Sequence, residues 1–239
     1  MRSDNPAPYD RSVESASAHV DANSNDHGRI VILDQAASRA IEWTAERVTE
    51  GGVVAIPTDT VYGLAASLAH PSAIERIYEI KGRPENQPLP VLVSSIDALS
   101  HLVHLDDAVV PLLDAFWPGP LTVVLPAASR LPARVLGPGD RVGVRLPSHY
   151  VAIEVIEKAG GAIACTSANR SGEPPESSAQ EVAESLGSEL DLILDGGVAP
   201  GGVASTVVAI DGLTLRFIRE GAIPMGEVIR IWDEVVSSA

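Results

Sequence analysis

Ala73-Ile74-Glu75-Arg76-Ile77-Tyr78-Glu79-Ile80 is followed by Lys81-Gly82-Arg83-Pro84-Glu85-Asn86-Gln87-Pro88-Leu89-Pro90 and then by Val91-Leu92-Val93. The first run is amphipathic, the second is a Pro-rich turn, and the third is apolar. Pro84 disfavours the α conformation for Arg83, so a helix ends about there. The stretch therefore reads as helix, turn, buried strand. Lys81 and Arg83 sit at the helix C-terminus, where cations complement the macrodipole. The same pair, with Gly82 allowing close backbone approach, also suits an anion. The stretch alone supports both readings.

The pattern of helix followed by strand continues in both directions. Upstream, Arg29 to Leu33 is β-rich, Asp34 is placed to cap a helix over Gln35 to Glu50, and Gly51-Gly52 ends it. Val53 to Ile56 reads as a buried strand. Downstream, strands are expected at Pro90–Ser94 and Leu121–Leu125, with helices at Asp97–Leu102 and Asp106–Phe116 between them. Arg141 to Pro147 alternates in strand fashion, which sets Arg141 and Arg145 on one face. A helix over His149–Ala159, a strand over Ala162–Cys165, a helix near Ser178–Leu186 and a strand over Asp191–Leu194 follow. Ser205–Ile210 and Leu213–Ile218 form a hairpin turned at Asp211-Gly212, and Glu227–Val236 is a closing helix. Interleaved strands and helices predict an α/β (α+β) single domain, a twisted mixed sheet flanked by helices.

Two loops stand out. Pro57-Thr58-Asp59-Thr60-Val61-Tyr62-Gly63-Leu64 follows a strand with three adjacent small polar residues, as site loops do, and is also good turn chemistry. Thr166-Ser167-Ala168-Asn169-Arg170-Ser171-Gly172 also leaves a strand and leads to a helix, an arrangement suited to anions or nucleotides. It is not a Walker motif, because no Gly-Lys-Ser/Thr occurs.

The chain has 239 residues, 45% of them hydrophobic, enough for one large core. Its formal charge of -15 opposes general nucleic-acid binding and requires a local basic pocket for any polyanion. A single cysteine excludes an internal disulfide and a Cys-based metal site, and Cys165 reads as a core thiol. With no long apolar run and no signal-peptide pattern, a soluble cytoplasmic protein without membrane association is expected. Residues 1–28 have almost no large apolar side chains and read as a disordered tail, leaving residues 29–239 as the domain.

Taken together, Pro57–Leu64, Lys81–Pro84, Trp117-Pro118-Gly119-Pro120-Leu121-Thr122, Val144–Pro147 and Ser167–Gly172 occur in the order of the YrdC-like family, the L-threonylcarbamoyladenylate synthases. The resemblance covers Gln35 to Arg219 and points to the short single-domain form with a concave basic cavity. It implies a nucleotidyltransferase that condenses L-threonine, bicarbonate and ATP to threonylcarbamoyl-AMP and pyrophosphate. A separate transferase system then modifies the adenosine beside the anticodon of tRNA, so direct tRNA binding is expected to be weak. Magnesium should accompany the ATP.

By the same resemblance, Thr60, Leu92, Arg145, Ser205 and Thr206 belong to the threonine side. Lys81, Arg83, Gln87, Arg141, Ser167, Asn169, Ser177 and Arg219 belong to the ATP side, with Lys81 and Arg83 catalytic. Gln87 stands where Lys or Asn is usual, Arg141 where Thr is common, and Leu92 where His is expected. The competing readings are a non-catalytic RNA-binding module and a carbamoyl-transfer enzyme.

Overall fold

The computed structural model describes residues 31–36 and 39–238; the expected tail and the start of the expected strand at Arg29 lie outside the described residues. The first half of the chain forms β1 (Ile32–Asp34), α1 (Ala40–Thr49), β2 (Val54–Ile56), β3 (Gly63–Ser67), α2 (Pro71–Lys81), β4 (Val91–Val93), α3 (Ile96–Ser100) and α4 (Val110–Phe116). The second half forms β5 (Leu121–Pro126), β6 (Leu136–Gly137), β7 (Arg141–Arg145), α5 (Tyr150–Lys158), β8 (Ala162–Ser167), α6 (Ala179–Ser185), β9 (Leu192–Asp195), β10 (Thr206–Asp211), β11 (Thr214–Arg219) and α7 (Met225–Ser238). All eleven strands join one mixed sheet in the order β1-β9-β2-β3-β8-β4-β7-β5-β10-β11, with β6 paired to β7. The expected α/β class and mixed sheet are observed.

The sheet separates two cores, and period-2 alternation sorts the side chains between them. Val53 and Ala55 face one core, with α2, α4, α6 and α7 supplying Ile74, Ile77, Leu112, Leu113, Val182 and Trp232. Val54 and Ile56 face the other, packed by Ala45 and Val48 of α1 and by Val155 and Ile156 of α5. Each buried Val, Leu or Ile contributes about 1.5–3 kcal/mol.

The second layer of helices stops partway across the sheet. Helices α1 and α5 pack on one another and on β2, β3, β4, β8 and β9. On that same face, the row Ile163–Leu92–Arg145 crosses β8, β4 and β7. Beyond it, over β7, β5, β10 and β11, the face carries arginines and hydroxyls instead of a helix, and that half of the sheet floors the cavity described below.

Some sequence expectations shift. The first helix begins at Ala40, not Gln35, because Asp34 ends β1 and its Oδ1 accepts from the Ala36 amide (2.8 Å) in a turn. Asp107–Val109 is a 3-10 turn before α4, and Gly212-Leu213 forms the hairpin loop. Strand β3 was not anticipated: Gly63-Leu64-Ala65-Ala66-Ser67 is buried throughout and has no β-branched residue or alternation to mark it.

Candidate active site

Arg83 is aimed by the end of α2. Gly82 takes a left-handed conformation (φ 59°), its amide donates to Glu79 O (3.1 Å), and the Arg83 amide donates to Tyr78 O (3.0 Å). This paired closure ends the helix and turns Arg83 away from it. The guanidinium then donates from Nε to Gln87 O (2.9 Å) and from Nη2 to Pro88 O (3.2 Å), bracing the Pro-rich turn.

Lys81 is placed differently from the expectation. It continues the buried stripe of Ile74 and Ile77, and only 3% of it is exposed. Its Nζ donates to Ser167 O (2.5 Å), Asn169 O (2.7 Å) and Asn169 Oδ1 (3.1 Å), which commits all three ammonium hydrogens. Lys81 therefore lies outside the cavity lining and fastens the loop after β8 from beneath. Burial, and then Arg83, push its pKa down to about 8.

Asn169 is drawn into the same scaffold. Its Oδ1 accepts from Lys81, and its Nδ2 donates to Arg170 O (2.7 Å) and Glu173 O (2.8 Å). Ser177 donates to Glu181 (2.8 Å) beside the capping box that Ser178 and Glu181 form at the start of α6. Neither Asn169 nor Ser177 lines the cavity, whereas Ser167 does.

The loop after β2 folds around the Thr58 hydroxyl, which donates to Val61 O (2.6 Å) and accepts from the amides of Thr60 and Val61. Gly202 N donates to Thr60 O (2.8 Å), tying down the loop from above. Arg145 reaches this loop from β7. It donates from Nη1 to Thr60 Oγ1 (3.1 Å), from Nη2 to Asp59 Oδ1 (2.5 Å) and from Nε to Gly119 O (2.9 Å).

Ser205 and Thr206 are adjacent, so strand parity separates them. Ser205 lines the cavity, with its hydroxyl 2.9 Å from Thr122 Oγ1. Thr206 is fully buried on the other side. Its hydroxyl donates to Ile223 O (2.6 Å) and accepts from the amides of Gly221 (2.9 Å) and Ile223 (3.1 Å). The expected contact of Thr206 with a ligand is therefore corrected to a structural clasp.

Arg219 donates from Nη2 (2.8 Å) and Nε (3.3 Å) to Ser205 O. Its pKa is held down by burial, then by Arg83 and Arg145, so the three guanidinium groups feel one another. Strand register explains why. Arg219 pairs with Val207 on β10, Val207 with Thr122 on β5, and continuing the β5–β7 register by one residue reaches Arg145. A bulge between Val207 and Val208 resets the alternation of β11, so Arg216 and Arg219 both line the cavity despite their odd spacing.

The resulting cavity has a volume of about 520 Å³, within the range of about 300–1,000 Å³ usual for small-molecule sites. Among the described residues five arginines line it (Arg83, Arg141, Arg145, Arg216 and Arg219), and no Asp or Glu does. Among the described residues Arg83, Arg216 and Arg219 pair with no carboxylate, whereas Arg145 pairs with Asp59 and Arg141 lies 3.7 Å from Asp211. Arg141 also donates to Val124 O and Ile210 O, so much of its fork is spent on strand ends.

Thr60, Gln87 and Leu92 line the cavity, and Leu92 also packs in the second core. Cys165 reaches the lining too, but burial pushes its thiol up to about 12 and keeps it protonated. The sequence reading missed Thr122, Arg216 and Asn86 in the lining. The alternation of β5 would have flagged Thr122, whereas Arg216 depends on the bulge. Among the described residues no group of three or more His, Cys, Asp or Glu gathers to hold a metal ion.

These features define a mixed-sheet α/β protein with an arginine-lined cavity on the half of one sheet face that its helices leave open. The Sua5/YciO/YrdC family, whose description reads "Telomere recombination", matches residues 46–221, and this chain belongs to it. It is 37% identical over 211 residues to the threonylcarbamoyl-AMP synthase of Pyrococcus abyssi, covering 86% of this chain and 62% of that protein. Over 164 residues it is 42% identical to the threonylcarbamoyl-AMP synthase of Alkalilimnicola ehrlichii, covering 68% of this chain and 84% of the relative. The structure of P. abyssi Sua5 complexed with L-threonine superposes with a TM-score of 0.79 at 37% identity, covering 84% of this chain and 60% of that one. E. coli YciO superposes with a TM-score of 0.74 at 28% identity, covering 81% and 96%. The chain thus spans less than two thirds of the length of the P. abyssi protein.

Proposed function

We propose that this chain is an L-threonylcarbamoyl-AMP synthase, which condenses L-threonine, bicarbonate (through carbon dioxide) and ATP to L-threonylcarbamoyl-AMP and pyrophosphate. The observation that carries this reading is the cavity charge. Arg83, Arg145 and Arg219 converge on one space whose lining, among the described residues, has no carboxylate, in a chain of formal charge -15. Arg83 and Arg219 have no carboxylate partner among the described residues, so holding them beside Arg145 costs stability, and a polyanionic ligand removes that cost. The names of the relatives, and the threonine in the P. abyssi complex, support the choice of substrates.

The chemistry asks for alignment more than for a protein nucleophile. The threonine amine forms an N–C bond to carbon dioxide and loses a proton, giving a carbamate. A carbamate oxygen then attacks the α-phosphorus, and the bond to pyrophosphate breaks with the electron pair on the leaving group. Two anions that repel each other must be held in line. Arg145, fixed beside Thr60, takes the threonine carboxylate, and Leu92 offers apolar surface to the methyl group. Arg83 and Arg219 neutralise phosphate oxygens, with Ser167, Ser205 and Gln87 as neutral partners. Lys81 is a positioning residue, acting through the Ser167–Asn169 loop it fastens.

Magnesium enters as part of the MgATP substrate, held by phosphates and water, because the lining supplies no carboxylate for a resident ion. The adenylate is then consumed by a separate transferase that modifies the adenosine next to the anticodon of tRNA, a cytoplasmic reaction. No helix among the described residues is long and apolar enough to cross a membrane.

The test is incubation with ATP, magnesium, L-threonine and bicarbonate, with mass detection of the adenylate and a count of released pyrophosphate. Product that requires all three substrates is expected. Absence of product from folded protein that binds ATP would overturn the reading.

A further inference from the structure

One wall of the cavity is built from two loops. The Pro-rich turn after α2 supplies Arg83 and residues 86–90, and the chain after a 3-10 turn at Ala133–Val135 supplies Gly137 and Pro138. The Leu89 amide joins the loops by donating to Arg134 O (2.8 Å). Tyr78, buried near the end of α2, reaches both of them. Its hydroxyl lies 2.7 Å from Gln87 O and 2.9 Å from Arg134 O, so its single hydrogen is shared between carbonyls on the two loops. Neither Tyr78 nor Arg134 lines the cavity.

This joint is tied to Arg83. The Arg83 amide donates to Tyr78 O (3.0 Å), and Arg83 Nε donates to the same Gln87 carbonyl (2.9 Å) that the phenol holds. Burial raises the pKa of the phenol, and the nearby Arg83 opposes that rise. Arg134 closes the joint from the other side. Its guanidinium carbon stands 4.8 Å from the centroid of the Tyr78 ring. Its Nε donates to both oxygens of Glu75 (2.8 and 2.9 Å), and its Nη1 lies 3.3 Å from Glu85 in the Pro-rich turn. A cation anchored over the ring face holds the ring where its hydroxyl meets both carbonyls.

We infer that Tyr78, braced by Arg134, is a positioning residue that aims Arg83 into the cavity. The Arg83 side chain donates to Gln87 O and Pro88 O, so its direction follows the shape of the turn. That shape is fixed by the phenol at Gln87 and by Arg134 O at Leu89. None of these bonds reaches Arg145 or Thr60, which are held by Gly119, Asp59 and Gly202 instead. The joint therefore serves the Arg83 end of the cavity and not the Arg145 end. This inference rests on the reading of Arg83 as a ligand of the nucleotide phosphates.

The experiment is calorimetric titration of the full chain with a non-hydrolysable ATP analogue and, separately, with L-threonine. Tyr78→Phe keeps the ring and removes the hydroxyl, so it should weaken the analogue by about three- to tenfold and leave threonine within about twofold. In an Arg83→Ala background the same change should alter nucleotide affinity by less than about twofold, because no guanidinium remains to be aimed. Arg134→Lys loses the planar fork over the ring and should follow the same pattern, weakening the analogue by about threefold or more. No effect of Tyr78→Phe, equal weakening of both ligands, or an effect undiminished in Arg83→Ala would each overturn the inference while leaving the function intact. If Tyr78→Phe does not fold, Arg134→Lys alone and in Arg83→Ala decides by the same criteria. Wild type that binds neither the analogue nor threonine overturns the functional reading and this inference together.

Discussion

Replacing Arg219 with Gln separates the needs of the fold from those of the site. The change removes one positive charge and leaves a neutral donor for Ser205 O, now bonded by Nη2 at 2.8 Å. Arg219, Thr122 and Arg145 lie along one row across four strands, so the Cα atoms of the two arginines are about 14 Å apart at about 4.8 Å per strand. Long side chains reaching inward bring the guanidinium groups to roughly 6–8 Å, where like charges at an effective dielectric of about 20 repel by about 2–3 kcal/mol. Solvent at this partly exposed group, and Asp59 behind Arg145, reduce the total to about 1 kcal/mol. Loss of the Arg219 hydrogen bonds costs about 1 kcal/mol, which the Gln amide recovers in part. Arg219→Gln should therefore leave stability unchanged or raise it by up to about 1 kcal/mol, a Tm shift of about 0 to +4 °C. Loss of a charge-assisted contact to phosphate should lower kcat/KM for ATP by about thirty- to a thousandfold. Thermal unfolding in low salt and pyrophosphate release against ATP concentration measure the two effects. A Tm lower by more than about 5 °C with kcat/KM intact would refute the reasoning and make Arg219 a structural residue.

The adjacent pair on β10 should divide in the same way. Thr206→Val strands three buried hydrogen-bonding groups and should lower stability by about 2–4 kcal/mol in urea unfolding, whereas Ser205→Ala should cost about 1 kcal/mol or less and act mainly on turnover. At Gly201 an added Cβ would stand 2.9 Å from Asp59 O and 3.0 Å from Thr60 O, so Gly201→Ala should displace the site loop, raising the KM for threonine and lowering the Tm. Lys81 has a folded-state pKa near 8 against an ordinary 10.5. The unfolded chain therefore holds more protons between those values, and this group favours folding increasingly as pH rises through that window. The stability of wild type minus that of Lys81→Met should grow from pH 8 to 10.5; a flat or falling difference would show that the carbonyl cage keeps Lys81 protonated.

Much of this protein is local and was legible in the chain. The end of α2 at Gly82-Arg83-Pro84, the hairpin near Asp211-Gly212, and the shared face of Arg141 and Arg145 follow from backbone preferences and the period of a strand. Of the residues the family resemblance names, Thr60, Arg83, Arg145, Ser167, Ser205 and Arg219 line one cavity, whereas Lys81, Asn169, Ser177 and Thr206 do not. Tertiary structure decided the rest. β3 starts at Gly63 because an added Cβ there would stand 2.6 Å from Cys165 Sγ on β8, a constraint invisible in β3 alone. Lys81 belongs to the buried stripe of Ile74 and Ile77, and only the loop folded over it shows that its charge is met by carbonyl oxygens. Whether Arg216 joins Arg219 depends on a bulge between two distant strands, because one extra residue reverses which face a side chain meets. Local sequence sets where a chain turns and which side chains alternate, whereas the partner each strand finds sets what those side chains face.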